Sequence, residues 1–156
     1  ASCIHSGGLA RIKAPRIKAA LNLILEQRGT LNLDFLQKLP LEEAKAWLMA
    51  IPGVGKKTAA VVLCFSLGMP AMPVDTHVHR VAKRLGLIGD AVSADQAHDL
   101  LESMVVPEEV YSFHVYLITH GRRVCKARRP WCDSCALVDI CPTGRRWLSL
   151  GMPSSE

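Results

Sequence analysis

The chain has 156 residues, of which 49% are hydrophobic and 21% are charged. This composition excludes a disordered or low-complexity protein, and the length provides a real core for one domain or for two small ones. A formal net charge of +5 points to an anionic partner, although many basic proteins bind nothing acidic in particular.

Helical periodicity dominates the first half of the chain. The first apolar stripe ends before Gly29 and consists of Ile17, Ala20, Leu21, Ile24 and Leu25. A second stripe predicts a helix from residue 41 to about residue 50, and it consists of Leu41, Ala44 and Leu48. Residues 58–67, "TAAVVLCFSL", are apolar on every side, which predicts a helix buried through the middle of the core.

The second half continues the same helical pattern. One stripe ends before Gly86 and consists of Val78, Val81, Ala82 and Leu85. Ser93 and Gln96 form a predicted capping box for the next helix. Pro107 opens a further helix, which Gly121 is expected to end, with the inward residues Val110, Phe113, Leu117 and Ile118. Because no segment alternates like a strand, the predicted fold is all-α.

Residues 51–62, "IPGVGKKTAAVV", place two glycines and two lysines between predicted helices. The stretch fails the P-loop pattern because Gly55 has no glycine five positions before it, and it fails the dinucleotide fingerprint because Thr58 stands at its third glycine. One interpretation is a glycine-rich link between two core helices. The other is a helix–hairpin–helix whose turn amides grip a DNA phosphate without reading bases. The predicted DNA contacts are Gly53, Val54, Gly55 and Lys56.

Four of the six cysteines are clustered with the spacing C-x6-C-x2-C-x5-C: Cys125, Cys132, Cys135 and Cys141. The start of the chain lacks the apolar core of a secretory signal, and no apolar run approaches the roughly 20 residues that span a bilayer. We therefore expect a reducing, cytoplasmic compartment in which these cysteines are thiols or metal ligands. Their chemistry alone leaves zinc and an iron–sulfur cluster nearly equal.

A loop of six residues between the first two clustered cysteines carries the cations Lys126, Arg128 and Arg129. A metal centre that ties both ends of the loop would hold these side chains outward in a fixed arrangement, which favours contact with DNA phosphates. A solvated basic loop that aids solubility is the alternative.

Three blocks of the sequence, in this order, resemble the endonuclease III family of DNA glycosylases within the helix–hairpin–helix superfamily. They are "IPGVGKKTA" (51–59), "PVDTHVHRVAKRLG" (73–86), and the cysteine run preceded by "HVYLITHGRRVC" (114–125). The resemblance covers nearly the whole chain. It implies a partial helical barrel, a C-terminal loop that holds a [4Fe–4S] cluster rather than zinc, and an active site between the two.

The resemblance also implies two catalytic residues. Lys57 matches the nucleophile of the family, and Asp75, in "VDTH", matches its catalytic carboxylate. A lysine forms a Schiff base with a sugar carbon only as the neutral amine, which the adjacent Lys56 and the positive first turn of a helix favour. A phosphate-pairing lysine is the alternative for Lys57. Asp75 also has the sequence context of a helix N-cap, which would hold its carboxylate rigidly.

Family members normally carry several helices before the region that matches residues 17–28, so we expect this chain to be a fragment of a longer protein. Within it, we predict a helical barrel portion with the helix–hairpin–helix at 1–106. A helix and the cluster domain are predicted at 107–156.

By the resemblance, the chain is a bifunctional DNA glycosylase and apurinic/apyrimidinic lyase of base-excision repair, which removes a damaged base such as an oxidised pyrimidine and cuts the strand by β-elimination. The expected partner is double-stranded DNA with damaged bases or abasic sites. We expect a monomer at the nucleoid of a prokaryotic cell. Two alternatives are a non-catalytic DNA-binding module and a monofunctional adenine or mismatch glycosylase, against which Lys57 argues.

Overall fold

The computed structural model of the chain describes residues 1–151, and every regular element in this range is helical. The α-helices are α1 (Ala10–Arg28), α2 (Leu41–Met49), α3 (Lys56–Val61), α4 (Thr76–Leu85), α5 (Ala94–Met104), α6 (Val110–Arg123) and α7 (Pro142–Ser149). Short 3₁₀ turns occupy Ser2–Gly7, Asp34–Lys38, Pro107–Glu109 and Val138–Ile140. Because the described residues contain no strand, the all-α prediction is confirmed.

Several predicted helix ends are confirmed where local backbone chemistry sets them. Gly29 and Gly86 follow α1 and α4 in the left-handed conformation, with φ of 71° and 76°. Ser93 caps α5 and forms both hydrogen bonds of the capping box with Gln96. α3 begins at Lys56, directly after the glycine-rich turn. The helices that carry the candidate site are therefore fixed at their ends by local interactions.

The helices bury two adjoining groups of apolar side chains. The first group lies among α1, α2 and α3 and includes the fully buried Leu36 and Leu63. The second lies among α4, α5 and α6 and includes the fully buried Val78 and Leu101. The non-helical link 68–75, which leads into α4, contributes side chains to both groups and is therefore held between them.

The prediction for residues 58–67 is wrong in two respects. The α-helix ends at Val61, and a π-helical turn follows at Val62–Ser66. Only one face is buried, because Leu63 is inaccessible to solvent while Val61 and Phe65 are 37% and 47% exposed. The apolar composition identified a segment suited to burial, but the described chain covers only one side of it.

The apolar stripe of α1 is also only partly buried. Ile24 is buried and Ala20 is half-buried, but Ile17, Leu21 and Leu25 are exposed. These three residues are four positions apart and therefore share one face of the helix, so the prediction of an inward stripe is wrong for them. Neither α1, the longest helix at 19 residues, nor any other helix within residues 1–151 has the length and apolarity needed to cross a bilayer.

Two elements near the C-terminus differ from the prediction. α6 continues past Gly121 to Arg123, so this glycine does not end the helix. It lies instead where α6 packs on α4, because a Cβ at Gly121 would come within 3.0 Å of His77 Cβ and 3.1 Å of Val81 Cγ2. After the last cysteine the chain forms α7, a helix that the periodicity did not predict.

Candidate catalytic site and cysteine cluster

The hairpin between α2 and α3 has the tight turn that its glycines predict. Gly53 has a φ of +87°, which is the left-handed region that side chains disfavour. The backbone N–H of Val54 donates to the carbonyl of Ile51 at 3.0 Å and closes the turn. Ile51 is buried and anchors the turn to the core, whereas Gly53 and Gly55 are exposed. The backbone of the predicted DNA grip is therefore accessible from solvent.

Arg16 of α1 lies against this turn. A Cβ at Gly53 would stand 3.2 Å from Arg16 Cδ, so the absence of a side chain at Gly53 makes room for the arginine stem. The contact adds a guanidinium to the hairpin surface. Sequence reasoning missed it because the two residues are far apart in the chain and nothing local pairs them.

The two lysines of the hairpin have different surroundings. Lys56 Nζ forms an ion pair with Asp99 Oδ2 at 2.8 Å and donates to the carbonyl of Asp95 at 3.3 Å. The hydrogen bond from Lys56 also lowers the pKa of the Asp99 carboxyl group. Lys57 is exposed and makes no ion pair within residues 1–151. Of the two amines, that of Lys57 is the one left available to another molecule.

Asp75 is the N-cap of α4, as its sequence context predicts. Its Oδ1 atom accepts hydrogen bonds from the backbone N–H groups of His77 and Val78, both at 2.8 Å. Aspartate is among the preferred residues for this position because it satisfies donors that the first helical turn leaves open. The half-buried carboxylate is thus fixed at the mouth of α4, with its second oxygen not used by the cap.

His114 of α6 lies against Pro73, two residues before Asp75. Its ring is buried, its Nδ1 is 2.8 Å from the carbonyl oxygen of Pro73, and it packs edge-on against Phe65. Burial lowers the pKa of His114; the charge of Lys57 acts in the same direction and the charge of Asp75 in the opposite one. The charges of both residues therefore act on this one imidazole.

An apolar surface continues from Lys57 along its helix. Val61 lies one turn further along α3, Phe65 lies in the π-helical turn that follows, and both are exposed. The Phe65 ring contacts that of Tyr111 with 5.1 Å between centroids, and Tyr111 is itself 51% exposed. The amine of Lys57 therefore borders an uncovered apolar face.

The four predicted cysteine ligands line one cavity between α4, α6 and α7. Burial raises the pKa of the Cys132 thiol, and repulsion from Cys125, Cys135 and Cys141 raises it further, so all four sulfur atoms are near one another. Even so, no three His, Cys, Asp or Glu side chains of residues 1–151 converge on a position for a single metal ion.

Two arginines of α4 hold the cysteine loop. Arg84 donates to Cys125 Sγ at 3.3 Å and to the carbonyl of Lys126 at 2.7 Å. Arg80 donates to the carbonyl of Cys125 at 3.1 Å and to that of Gly121 at 2.8 Å. Sequence reasoning placed both arginines on a helix but gave them no role; their spacing of one turn was the signal that they share a face.

The basic loop between Cys125 and Cys132 is exposed, as predicted. Lys126 Nζ lies 4.3 Å from the centroid of the Trp131 ring, a cation–π distance. Arg128 and Arg129 are exposed beside it. The loop thus presents cationic side chains to solvent on the side of the molecule that carries the cysteines.

Comparison with known proteins agrees with this arrangement. Residues 1–107 match the HhH-GPD superfamily base excision DNA repair protein family. Endonuclease III of Bacillus subtilis is 38% identical over 143 residues, which are 92% of this chain and 61% of that protein. Endonuclease III of Sulfolobus acidocaldarius is 34% identical over 138 residues, 88% of this chain and 59% of that protein.

A solved structure is similar as well. That of a trapped endonuclease III–DNA covalent intermediate is 37% identical, superposes with a TM-score of 0.77, and is matched over 93% of this chain and 64% of that one. The chain thus spans about three fifths of the length of these relatives. The resemblance to endonuclease III is confirmed, and the family match covers more than half of the chain. The chain belongs to the HhH-GPD superfamily of base excision DNA repair proteins.

Proposed function

We propose that the protein is a bifunctional DNA glycosylase and apurinic/apyrimidinic lyase that acts on damaged bases, oxidised pyrimidines in the first instance. The observation that carries this proposal is that an exposed lysine, Lys57, and a carboxylate fixed by a helix cap, Asp75, occupy the two positions that match the family motifs. An available amine and a fixed carboxylate are the two groups that such a reaction needs.

The chemistry assigns one role to each group. With the damaged nucleotide flipped out of the duplex, the neutral Nζ of Lys57 attacks C1′ of the sugar, and the C1′–base bond breaks as the base leaves and is protonated. The Asp75 carboxylate stabilises the positive charge that develops on the sugar and assists the proton transfers. The imine between Lys57 and the opened sugar then acidifies the 2′ proton, and its removal expels the 3′ phosphate and cuts the strand.

The cysteine cavity is the proposed site of a [4Fe–4S] cluster with Cys125, Cys132, Cys135 and Cys141 as ligands. A bound cluster supplies iron–thiolate bonds that tie both ends of the basic loop. The chain itself contributes the Arg84 contacts to the loop and a backbone N–H of Gly144 that lies 3.2 Å from Cys141 Sγ.

Double-stranded DNA with damaged bases or abasic sites is the proposed partner, gripped at two places. The hairpin residues Gly53, Val54, Gly55 and Lys56 form one contact, and Lys126, Arg128 and Arg129 form the other. For Lys56, a DNA phosphate would replace Asp99 in an exposed ion pair, an exchange that costs little. The proposal includes a division into 1–106 and 107–156, a monomer, and a place at the nucleoid of a prokaryotic cell.

Borohydride trapping on abasic-site DNA tests the proposal, because the reagent reduces an imine to a stable amine link. We expect a covalent adduct with the wild-type chain and none with Lys57→Ala. Lys56→Ala is the matched control: it removes a neighbouring lysine of the same helical turn, so it should weaken DNA binding and still form the adduct. An adduct of equal yield with Lys57→Ala would refute the assignment of the nucleophile.

The uncovered apolar face beside Lys57 favours a second candidate, a non-catalytic DNA-binding module. Val61, Phe65 and Tyr111 are exposed where an enzyme of this kind needs an enclosed pocket, and the chain spans about three fifths of its relatives. Such a module would bind damaged and undamaged duplexes alike, with strong salt dependence and no strand cleavage. A monofunctional glycosylase would instead release the base without forming the adduct.

A further inference from the structure

The link that leads into Asp75 is buried and depends on side chains for its backbone hydrogen bonds. Residues 71–74 are all buried but belong to no helix or strand, so their polar groups have no regular partner. Glu102 of α5 accepts from the backbone N–H of Met72 at 2.9 Å. His98 Nδ1, on α5, lies 2.7 Å from the carbonyl oxygen of Met72. His114 Nδ1, on α6, lies 2.8 Å from the carbonyl oxygen of Pro73.

The two histidines make the same kind of bond. In each, Nδ1 faces a carbonyl oxygen, which only accepts, so Nδ1 carries the proton and donates. Both side chains are almost fully buried, at 5% exposure for His98 and 4% for His114. A variant that removes either ring therefore leaves one carbonyl oxygen of the link without its partner.

Their surroundings differ. The charges that act on His114 are those of Asp75, Lys57 and Arg122. The charges that act on His98 belong to a different set of residues, Lys56, Asp95 and Asp99. His114 also holds the carbonyl of Pro73, which is one residue closer to Asp75 than the carbonyl that His98 holds.

We infer that His114 is a positioning residue for the candidate reaction: by donating from Nδ1 to the Pro73 carbonyl, it sets the place of the Asp75 carboxylate relative to Lys57. The inference rests on the proposed function. It goes beyond that function by assigning a role to a residue that need not touch DNA. The imidazole also packs edge-on against Phe65, with 5.4 Å between the ring centroids.

A small displacement of the carboxylate has a large effect on rate, because a shift of about 1 Å in a reacting group can cost roughly 100-fold. Removal of the Nδ1 donor should therefore slow the reaction far more than it weakens DNA binding. A donor returned to the same place should restore the rate. Asparagine provides such a donor, because its side-chain N–H can reach the position that the histidine Nδ1 occupies.

The experiment compares His114→Leu and His114→Asn with the matched pair His98→Leu and His98→Asn. Three quantities are measured for each purified protein: the single-turnover cleavage rate of abasic DNA at saturating protein, the Kd for that DNA, and amide hydrogen exchange at His77 and Val78. These two amides donate to Asp75, so their exchange reports the place of the carboxylate without any reaction.

We expect His114→Leu to lose about 10- to 100-fold in rate, with Kd changed less than about threefold and faster exchange at both amides. His114→Asn should recover most of the rate, and His98→Leu should change it less than about threefold. Equal rate losses in His98→Leu and His114→Leu, or no recovery with asparagine, would overturn the inference. If His114→Leu does not fold, His114→Gln replaces it in the comparison, because the glutamine donor lies one methylene group further from the backbone. His114→Gln should then be slower than His114→Asn, and equal rates for these two variants would overturn the inference.

A wild-type chain that cleaves nothing would refute the proposed function and leave this inference to the exchange measurement alone. Faster exchange at the His77 and Val78 amides in His114→Leu, and not in His98→Leu, would then still support positioning by His114. Unchanged exchange in His114→Leu would overturn it whatever the activity of the wild type.

Discussion

Asp75 combines a structural and a proposed catalytic role, and two substitutions separate them. Its Oδ1 atom accepts from two backbone N–H groups at 2.8 Å and so caps α4. Asp75→Asn keeps an oxygen that can accept the same bonds but removes the negative charge. Asp75→Ala removes the cap as well as the charge. The two variants should therefore have similar losses of activity and different losses of stability.

The expected magnitudes follow from these contacts. Loss of an N-cap to alanine costs about 1 kcal/mol in free energy of unfolding, within a range of roughly 0.5–2 kcal/mol. Loss of the carboxylate charge at the positive end of α4 costs about 0.3–1 kcal/mol more. Asp75→Asn should lose only the second contribution, because asparagine caps as well as aspartate. In the proposed reaction, both variants should lose about 100- to 10,000-fold in rate through the missing carboxylate.

Urea unfolding measures the first effect, and single-turnover cleavage of abasic DNA measures the second. Ser93→Ala is the control, since it removes the cap of α5: it should lose about 1 kcal/mol of stability, the cap contribution alone, without a comparable loss of rate. The reasoning is refuted if Asp75→Asn and Asp75→Ala are equally destabilised. An Asp75→Asn variant that cleaves at the wild-type rate would refute the catalytic role alone.

Three further predictions concern the core and the cysteine cavity. Burial lowers the pKa values of His98 and His114, so below about pH 6.5 the unfolded chain binds protons that the folded chain does not. The free energy of unfolding should therefore decrease as the pH is lowered below this value, by up to about 1.4 kcal/mol per pH unit for each histidine, which urea unfolding at a series of pH values measures. Gly121→Ala should lower the free energy of unfolding by about 1 kcal/mol, as thermal unfolding can measure. The added methyl group would overpack against α4 at 3.0 Å, which costs about 1–3 kcal/mol, while the higher helix propensity of alanine offsets about 1 kcal/mol of this cost. The purified protein should be brown and contain iron. Cys132→Ser should lose both the colour and the iron, whereas Cys3→Ser, at an exposed cysteine outside the cavity, should keep them. Stoichiometric zinc without iron would contradict the proposed cluster.

The parts of the fold that the sequence predicts are those that local chemistry decides. The Asp75 and Ser93 caps, and the glycine that ends α4, depend on bonds within a few residues, and each lies where the sequence places it. The same holds for the turn at Gly53, because a positive φ is a local property of glycine.

The errors concern contacts between distant segments. An apolar residue such as Leu21 or Phe65 is suited to burial, but the sequence around it does not show which segment would cover it, and both residues are exposed. The sequence predicts that Gly121 ends α6, whereas the structure uses this glycine for close packing against α4. The role of His114 also needs a partner 41 residues away, which no local pattern supplies.

α4 joins the two candidate sites into one rigid unit. Its first turn carries Asp75 as the cap, and its later turns carry Arg80 and Arg84, which hold the carbonyl groups of the cysteine loop. A helix of ten residues is about 15 Å long, so the basic loop and the carboxylate stand at a fixed separation set by one element. Gly121 lets α6 pack closely on this helix, and α6 carries the ring of His114. The proposed alignment of DNA with the carboxylate therefore depends on how α4 and α6 pack together.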